Sequence, residues 1–174
     1  FYDNSFFNED LSKYAISAVC ADNLVDDRIA DRDFLNENLV PICEAAIKSK
    51  VKNITIPLLE ESDLTEPRKR AIFCKEMYEI GTNYASLNFS FEIENISDII
   101  YMRQNFYLTY DTGNMTTMGV PHARYLRMFY NKIDNIHLKD RNSENETVSP
   151  GTGATNFNTI FGFLKSRAYD RNYT

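Results

Sequence analysis

Three times between Ser86 and Asp140 the chain runs through a short β-type segment, closes it on a metal-ligand-type residue, and opens into a polar loop leading to a helical pattern. The segments are Ser86 to Phe91, Phe106 to Tyr110 and Ile133 to Ile136, and the residues that close them are Glu92, Asp111 and His137. In the first, Leu87, Phe89 and Phe91 point one way and Ser86, Asn88, Ser90 and Glu92 the other, the period of a strand. The parity recurs: Leu108 and Tyr110 oppose Tyr107, Thr109 and Asp111, while Ile136 and Leu138 oppose Asn135, His137 and Lys139. Each ligand-type residue therefore shares its face with polar neighbours, and the apolar face is free to pack on helices. Strand alternating with helix in this way implies a parallel sheet with right-handed crossovers.

The flanking sequence continues the pattern. Residues 1–13 read as the tail of a helix or a loop, and Tyr14 to Ala21 as a strand ending at the turn pair Asp22-Asn23. Asp31 is placed to cap a helix with Leu35, Leu39, Ile42 and Ala46 on one face, which Pro41 should bend. Lys52 to Leu59 is the next strand. A polar loop, Glu60 to Thr65, leads to a helix with Pro67 in its first turn and Gly81 as its stop. Further helices are expected at Ser97–Gln104, capped by Ser97 or Asn95, at Pro121–Asn131, and at Phe157–Arg167, with another strand starting at Tyr173-Thr174. An open doubly wound sheet and a closed (β/α)8 barrel both accommodate this order. The polar strand face favours the barrel, whose sites form at the carboxyl ends of the strands. Length favours the open sheet, since a full barrel takes about 250 residues and the periodicity marks about five strands here.

At 174 residues, 43% hydrophobic and 25% charged, the chain has the composition of one globular α/β domain, expected to span 1–174. The net charge of -6, from 19 basic and 25 acidic residues, gives nucleic acid little electrostatic hold, so no nucleic-acid partner is expected. No apolar run approaches the roughly 18 residues of a membrane span and the start lacks the order of a signal peptide, so a cytoplasmic location without membrane contact is expected. Cys20, Cys43 and Cys74 form no CxxC pair and are odd in number, which reads as buried thiols rather than a disulfide framework.

The segments Ser17-Ala18-Val19-Cys20-Ala21-Asp22, Ile56-Pro57-Leu58-Leu59-Glu60-Glu61-Ser62, Phe91-Glu92, Tyr110-Asp111-Thr112-Gly113-Asn114, Ile136-His137-Leu138-Lys139-Asp140-Arg141 and Pro150-Gly151-Thr152-Gly153 together resemble the sugar phosphate isomerase/epimerase family of xylose isomerase-like TIM barrels. The branch with L-ribulose- and L-xylulose-phosphate epimerases is the most similar. The resemblance implies an incomplete (β/α)8 barrel of about six of eight βα units, truncated at both ends. It implies a divalent ion, Mn²⁺, Mg²⁺ or Zn²⁺, held by Glu92, Asp111 and His137, with a second Glu as fourth ligand beyond Thr174. It further implies a sugar or sugar-phosphate substrate that loses a proton next to its carbonyl to give an enediolate. Glu92 would be both ligand and acid/base, and two-base epimerisation would suffer without the second Glu.

Other readings stand beside this one. His137 alone is a hydrogen-bonded core residue as readily as a ligand, Asp111 a turn cap with Gly113, and Glu92 the partner of an Arg. His122, beside Pro121, reads as surface. Asn114 either orients a ligand or serves the turn. Lys139, Asp140 and Arg141 form either a substrate clamp, with Arg141 reaching a phosphate, or a solvated loop. The loop through Gly151 and Gly153 precedes a helix and offers main-chain N–H groups to an anion. Endonuclease IV-like hydrolases share the barrel and the ligand types but use more histidines than the two present, and a non-catalytic partial barrel is a third reading. Exposed strand edges of an incomplete barrel lead to an expectation of homo-oligomeric association.

Overall fold

Among the described residues, strands of the βα pattern pair in parallel. The structure, a computed structural model, describes residues 13–93 and 98–174, and the chain divides into two compact units, Phe1–Tyr107 and Leu108–Thr174. Most of the expected 1–13 segment and the caps Asn95 and Ser97 lie outside the described residues.

The first unit contains β1 (Ala18–Cys20), α1 (Arg32–Asn38), α2 (Val40–Lys48), β2 (Asn53–Pro57), α3 (Pro67–Asn83), β3 (Asn88–Glu92) and the start of β4 (Phe106–Asp111). β1 pairs with β2 from Ala18 opposite Asn53, and β2 with β3 from Asn53 opposite Asn88 to Pro57 opposite Glu92, all parallel. Asp31 caps α1 as its position suggests, accepting the Phe34 N–H at 2.9 Å. Leu35, Leu39, Ile42 and Ala46 form one buried stripe, but Pro41 does more than bend the helix. It falls in the first turn of a second helix, so that Leu39 becomes a junction between α1 and α2. Proline has no N–H for the preceding turn and its ring crowds that turn's carbonyl, so a break just before it relieves both.

Gly81 is not the stop expected of it. α3 continues to Asn83, and the Tyr84 N–H closes it on the Ile80 carbonyl at 2.9 Å. Gly81 serves close packing: a Cβ there would stand 2.6 Å from Cε1 and 2.9 Å from Cζ of Phe106. That ring is fully buried, edge-on to Phe89 and Phe91 at centroid distances of 6.0 and 5.2 Å. Gly81→Ala should gain about 1 kcal/mol of helix propensity and lose about 1–3 kcal/mol to overpacking. The expected net result is a melting temperature a few degrees lower, read by calorimetry; an unchanged or higher value would show that Phe106 has room to move. The helix expected at Ser97–Gln104 is a single 3-10 turn, Asp98–Tyr101, in its described part.

The second unit contains the rest of β4, then α4 (Thr112–Thr117), α5 (His122–Phe129), β5 (Ile133–His137), the hairpin β6 (Asp140–Arg141) and β7 (Thr147–Val148), α6 (Phe157–Ser166) and β8 (Asn172–Tyr173). β4 pairs parallel with β5, placing Thr109 opposite Asn135 and Asp111 opposite His137, and β5 pairs parallel with β8. From Thr109 and Asn135 onward the β4–β5 pair keeps the parity read from the sequence; just before, the register shifts between Leu108, which faces Ile133, and Thr109. α4 has no apolar periodicity to announce it. It forms because Asp111 caps it, accepting the Asn114 N–H at 2.8 Å, directly where β4 ends.

Of the three free thiols only Cys43 is buried, its pKa pushed up to about 12 by that burial. Cys20, expected inside, is exposed and donates to Asp22 at 3.0 Å, because β1 is short and ends there. No helix among the described residues is long and apolar enough to cross a membrane.

Candidate active site

Glu92, Asp111 and His137 each occupy the last position of their strand, β3, β4 and β5, and each offers a ligand-type atom there. Glu92, in the first unit, is 5% exposed, and its carbonyl accepts the Leu58 N–H at 3.0 Å, which ties the end of β3 to the residue after β2. Asp111 and His137 meet in the second unit.

Asp111 is 1% exposed and divides its two oxygens. Oδ1 accepts the Asn114 N–H, while Oδ2 lies 2.7 Å from Lys139 Nζ and 3.8 Å from His137 Nδ1. Burial pushes the carboxyl up, but His137, Lys139 and the Asn114 N–H outweigh it and hold the pKa at about 2. An ionised carboxylate oxygen and an imidazole nitrogen 3.8 Å apart suit a shared divalent ion. Ligand atoms about 2.0–2.2 Å from one ion stand about 3–4 Å from each other at ordinary coordination angles. The fit is of donor type as well as distance, since carboxylate and imidazole together suit Zn²⁺ and Mn²⁺.

Lys139 shares the same carboxylate oxygen. Its side chain is 42% exposed, so a divalent ion at Asp111 would compete with the ammonium rather than strand it. Lys139→Met should therefore bind Mn²⁺ about three- to tenfold more tightly, the order expected when one neighbouring positive charge is removed near a protein surface. Isothermal titration measures this; weaker binding would mean that the ammonium positions the carboxylate rather than competing for it.

The remaining sequence candidates surround this pair. Gly113 allows close approach, since a Cβ there would lie 2.9 Å from Lys139 Cβ and 3.3 Å from Arg141 Cγ. Asn114 is half-buried in the first turn of α4 and contributes its main-chain N–H to Asp111. Arg141 donates from Nη1 to the Asn145 carbonyl at 2.9 Å. Asp140 is fully buried and turns away from solvent into the loop that follows, where the N–H groups of Gly151 and Gly153 both donate to it at 2.8 Å.

Sequence reasoning missed a polar network behind these residues. His122, read as surface, is 9% exposed; its Nδ1 is 2.6 Å from the Tyr110 hydroxyl and its Nε2 3.1 Å from Thr116 Oγ1. The short connection through Gly119, in the left-handed region at φ 65°, turns the first residue of α5 back toward β4. Burial alone pulls the His122 pKa down, which keeps the ring neutral and able to both donate and accept. Thr116 continues to Thr155 at 2.9 Å, and Thr112 clasps Lys139, accepting its N–H at 2.9 Å and donating to its carbonyl at 2.6 Å. Threonines in a polar loop carry no pattern that would single these out.

No family model matches the sequence, and no curated protein matches it. Solved structures do. A D-tagatose 3-epimerase-like protein superposes with a TM-score of 0.73 at 18% identity, over 98% of this chain and 74% of that one. A xylose isomerase domain protein from Planctomyces limnophilus gives 0.70 at 14% identity, over 92% of this chain and 70% of that one. The IOLI protein, solved with a bound zinc atom, gives 0.66 at 16% identity, over 97% and 82%.

The fold is a xylose isomerase-like TIM barrel, incomplete.

In such a barrel the carboxyl ends of the strands form the functional face. Glu92, Asp111 and His137 are all strand-terminal in that sense, and Lys139, Asp140 and Arg141 follow β5 after Leu138. Identities of 14–18% carry the architecture and not the chemistry, which must be argued from the residues themselves.

Proposed function

We propose that this chain is a divalent-metal-dependent isomerase or epimerase of a sugar or sugar phosphate, working as one partial barrel domain on 1–174. The observation that carries this reading is the register of β4 on β5, which sets Asp111 beside His137 with Oδ2 and Nδ1 3.8 Å apart at the functional end of an epimerase-type barrel. Asp111 and His137 would hold the ion, and Glu92, strand-terminal on β3, would join them. Bound there, Mn²⁺, Mg²⁺ or Zn²⁺ supplies Lewis acidity that stabilises the negative charge developing on the sugar oxygens. Glu92 takes the proton from the carbon next to the carbonyl and returns one to the enediolate. Lys139 and Arg141 present cationic groups to the sugar oxygens or to a phosphate, and Asn114, at the N-terminal turn of α4 beside Asp111, would help to orient the ligand or substrate.

Support for the substrate class comes from the neighbours, among them a D-tagatose 3-epimerase-like protein, together with the Glu, Asp and His donor set. A histidine-rich zinc cluster of hydrolase type finds no support: of the two histidines, His122 is already engaged by Tyr110 and Thr116. The three free thiols, Cys20 exposed among them, suit a reducing compartment, so a cytoplasmic setting belongs to the same reading. Association into a homo-oligomer does too, and a monodisperse monomer in sedimentation would count against it.

The test is deuterium incorporation next to the carbonyl of a panel of pentuloses, hexuloses and their phosphates in D₂O, with and without Mn²⁺. Metal-dependent incorporation is the expected result. Tight Mn²⁺ binding with no incorporation into any of them would sink the isomerase reading and leave metal binding without this chemistry.

A further inference from the structure

In sequence the loop through Gly151 and Gly153 reads as an anion receptor, and the structure shows which anion it receives. Asp140 Oδ1 accepts the main-chain N–H groups of Arg141 and Thr155, each at 2.9 Å, and Oδ2 accepts those of Gly151 and Gly153, each at 2.8 Å. Four main-chain donors converge on one buried carboxylate. Charge-assisted bonds of this kind are roughly twice as strong as neutral ones, and leaving any of these donors unmet in the interior is costly.

The loop is shaped around that anion. Gly151 sits at φ +90°, a conformation other residues rarely adopt, and a Cβ on Gly153 would stand 2.5 Å from both Asp140 Oδ1 and the Arg141 carbonyl oxygen. The Ala154 N–H reaches that carbonyl at 2.7 Å, and β6 and β7 pair Asp140 with Val148 and Arg141 with Thr147. The residues on either side of Asp140 are the ones that cover the start of α4. Lys139 Cβ and Arg141 Cγ close over Gly113, and Lys139 Nζ reaches Asp111. Thr155, tied to Asp140 through its N–H, joins the Thr116 hydroxyl, so the loop is anchored to α4 as well.

We infer that Asp140 is a positioning residue: an internal anion that closes the 140–155 loop and thereby holds Lys139 and Arg141 as sugar-binding groups beside Asp111. This rests on the proposed sugar reading for the role of the two cations. It also means that the Gly151 and Gly153 N–H groups are committed to Asp140, so an anionic group on the substrate meets the Arg141 side chain and not the loop main chain.

The experiment compares the full chain with Asp140→Asn, with Gly153→Ala, and with Gly162→Ala as a control, since a Cβ at Gly162 meets nothing within 4 Å. In Asp140→Asn an amide NH₂ replaces one acceptor oxygen and faces two N–H donors. Amide exchange at Arg141, Gly151, Gly153 and Thr155 should speed up about tenfold or more, the equivalent of one lost hydrogen bond. KM for the ketose should rise about tenfold with kcat within about threefold, and Mn²⁺ affinity should hold or rise by up to about tenfold as the Lys139 ammonium loosens from Asp111. Gly153→Ala should reproduce the KM rise with the carboxylate intact. Unchanged exchange at those four amides would overturn the inference, as would a fall in kcat and Mn²⁺ affinity with KM unmoved. If the unaltered chain moves no sugar proton, the sugar reading fails separately, and amide exchange with Mn²⁺ affinity still decides whether Asp140 holds the loop.

Discussion

Glu92→Gln is expected to slow metal-dependent deuterium incorporation by about 10²–10⁴-fold, the range that a positioned general acid/base contributes. Gln has the shape of Glu and can still coordinate through its carbonyl oxygen, but it cannot take a proton. The side chain is 5% exposed at the end of β3, and the strand pairing there runs through main-chain groups, so the fold should be preserved. The comparison belongs at saturating Mn²⁺, which removes weakened metal binding from the result. Incorporation at the unaltered rate under those conditions would show that another group moves the proton.

Asp111→Asn separates the two duties of one carboxylate. Asn caps a helix as well as Asp does, so the Oδ1 bond to Asn114 N–H and the start of α4 should survive. What is lost is the charge on the oxygen that faces His137 and Lys139. Mn²⁺ affinity should fall about 100-fold or more, beyond the roughly 10–100-fold that loss of an outer partner costs. The variant should also change the acid limb of stability. The carboxyl is lowered from 3.8 to about 2, so the stability its ionised form contributes is complete above the unfolded value and is lost as pH falls through about 2. Melting temperature between about pH 4 and pH 2 should therefore fall less steeply in Asp111→Asn than in the parent chain. Parallel curves would place the acid sensitivity elsewhere, with Asp140, also held at about 2 against the push of its burial, as the next carboxylate to test.

Much of this architecture is legible in the sequence, because strand parity and helix capping are local. The alternation of Leu87, Phe89 and Phe91 with Ser86, Asn88, Ser90 and Glu92 needs only the two-residue repeat of a strand, and β3 follows it. Asp31 and Pro67 mark helix starts through bonds within one turn, and α1 and α3 begin there. The strand-terminal placement of Glu92, Asp111 and His137 follows from the same local reading, which is why residues 26 positions apart, Asp111 and His137, emerge side by side once β4 and β5 pair.

What tertiary structure alone decided is how polar and small residues are used when distant segments meet. Gly81 reads as a helix stop until the Phe106 ring, 25 residues later, packs against it. His122 reads as surface until the turn at Gly119 brings it to Tyr110, and Asp140 reads as part of a clamp or of a solvated loop until four N–H groups reach it from as far as Thr155. A glycine, a histidine or an aspartate has the same local propensity whether it meets water, a ligand or a buried partner. Periodicity reports which face a residue occupies, and only the long-range contact fixes what that residue bonds to there.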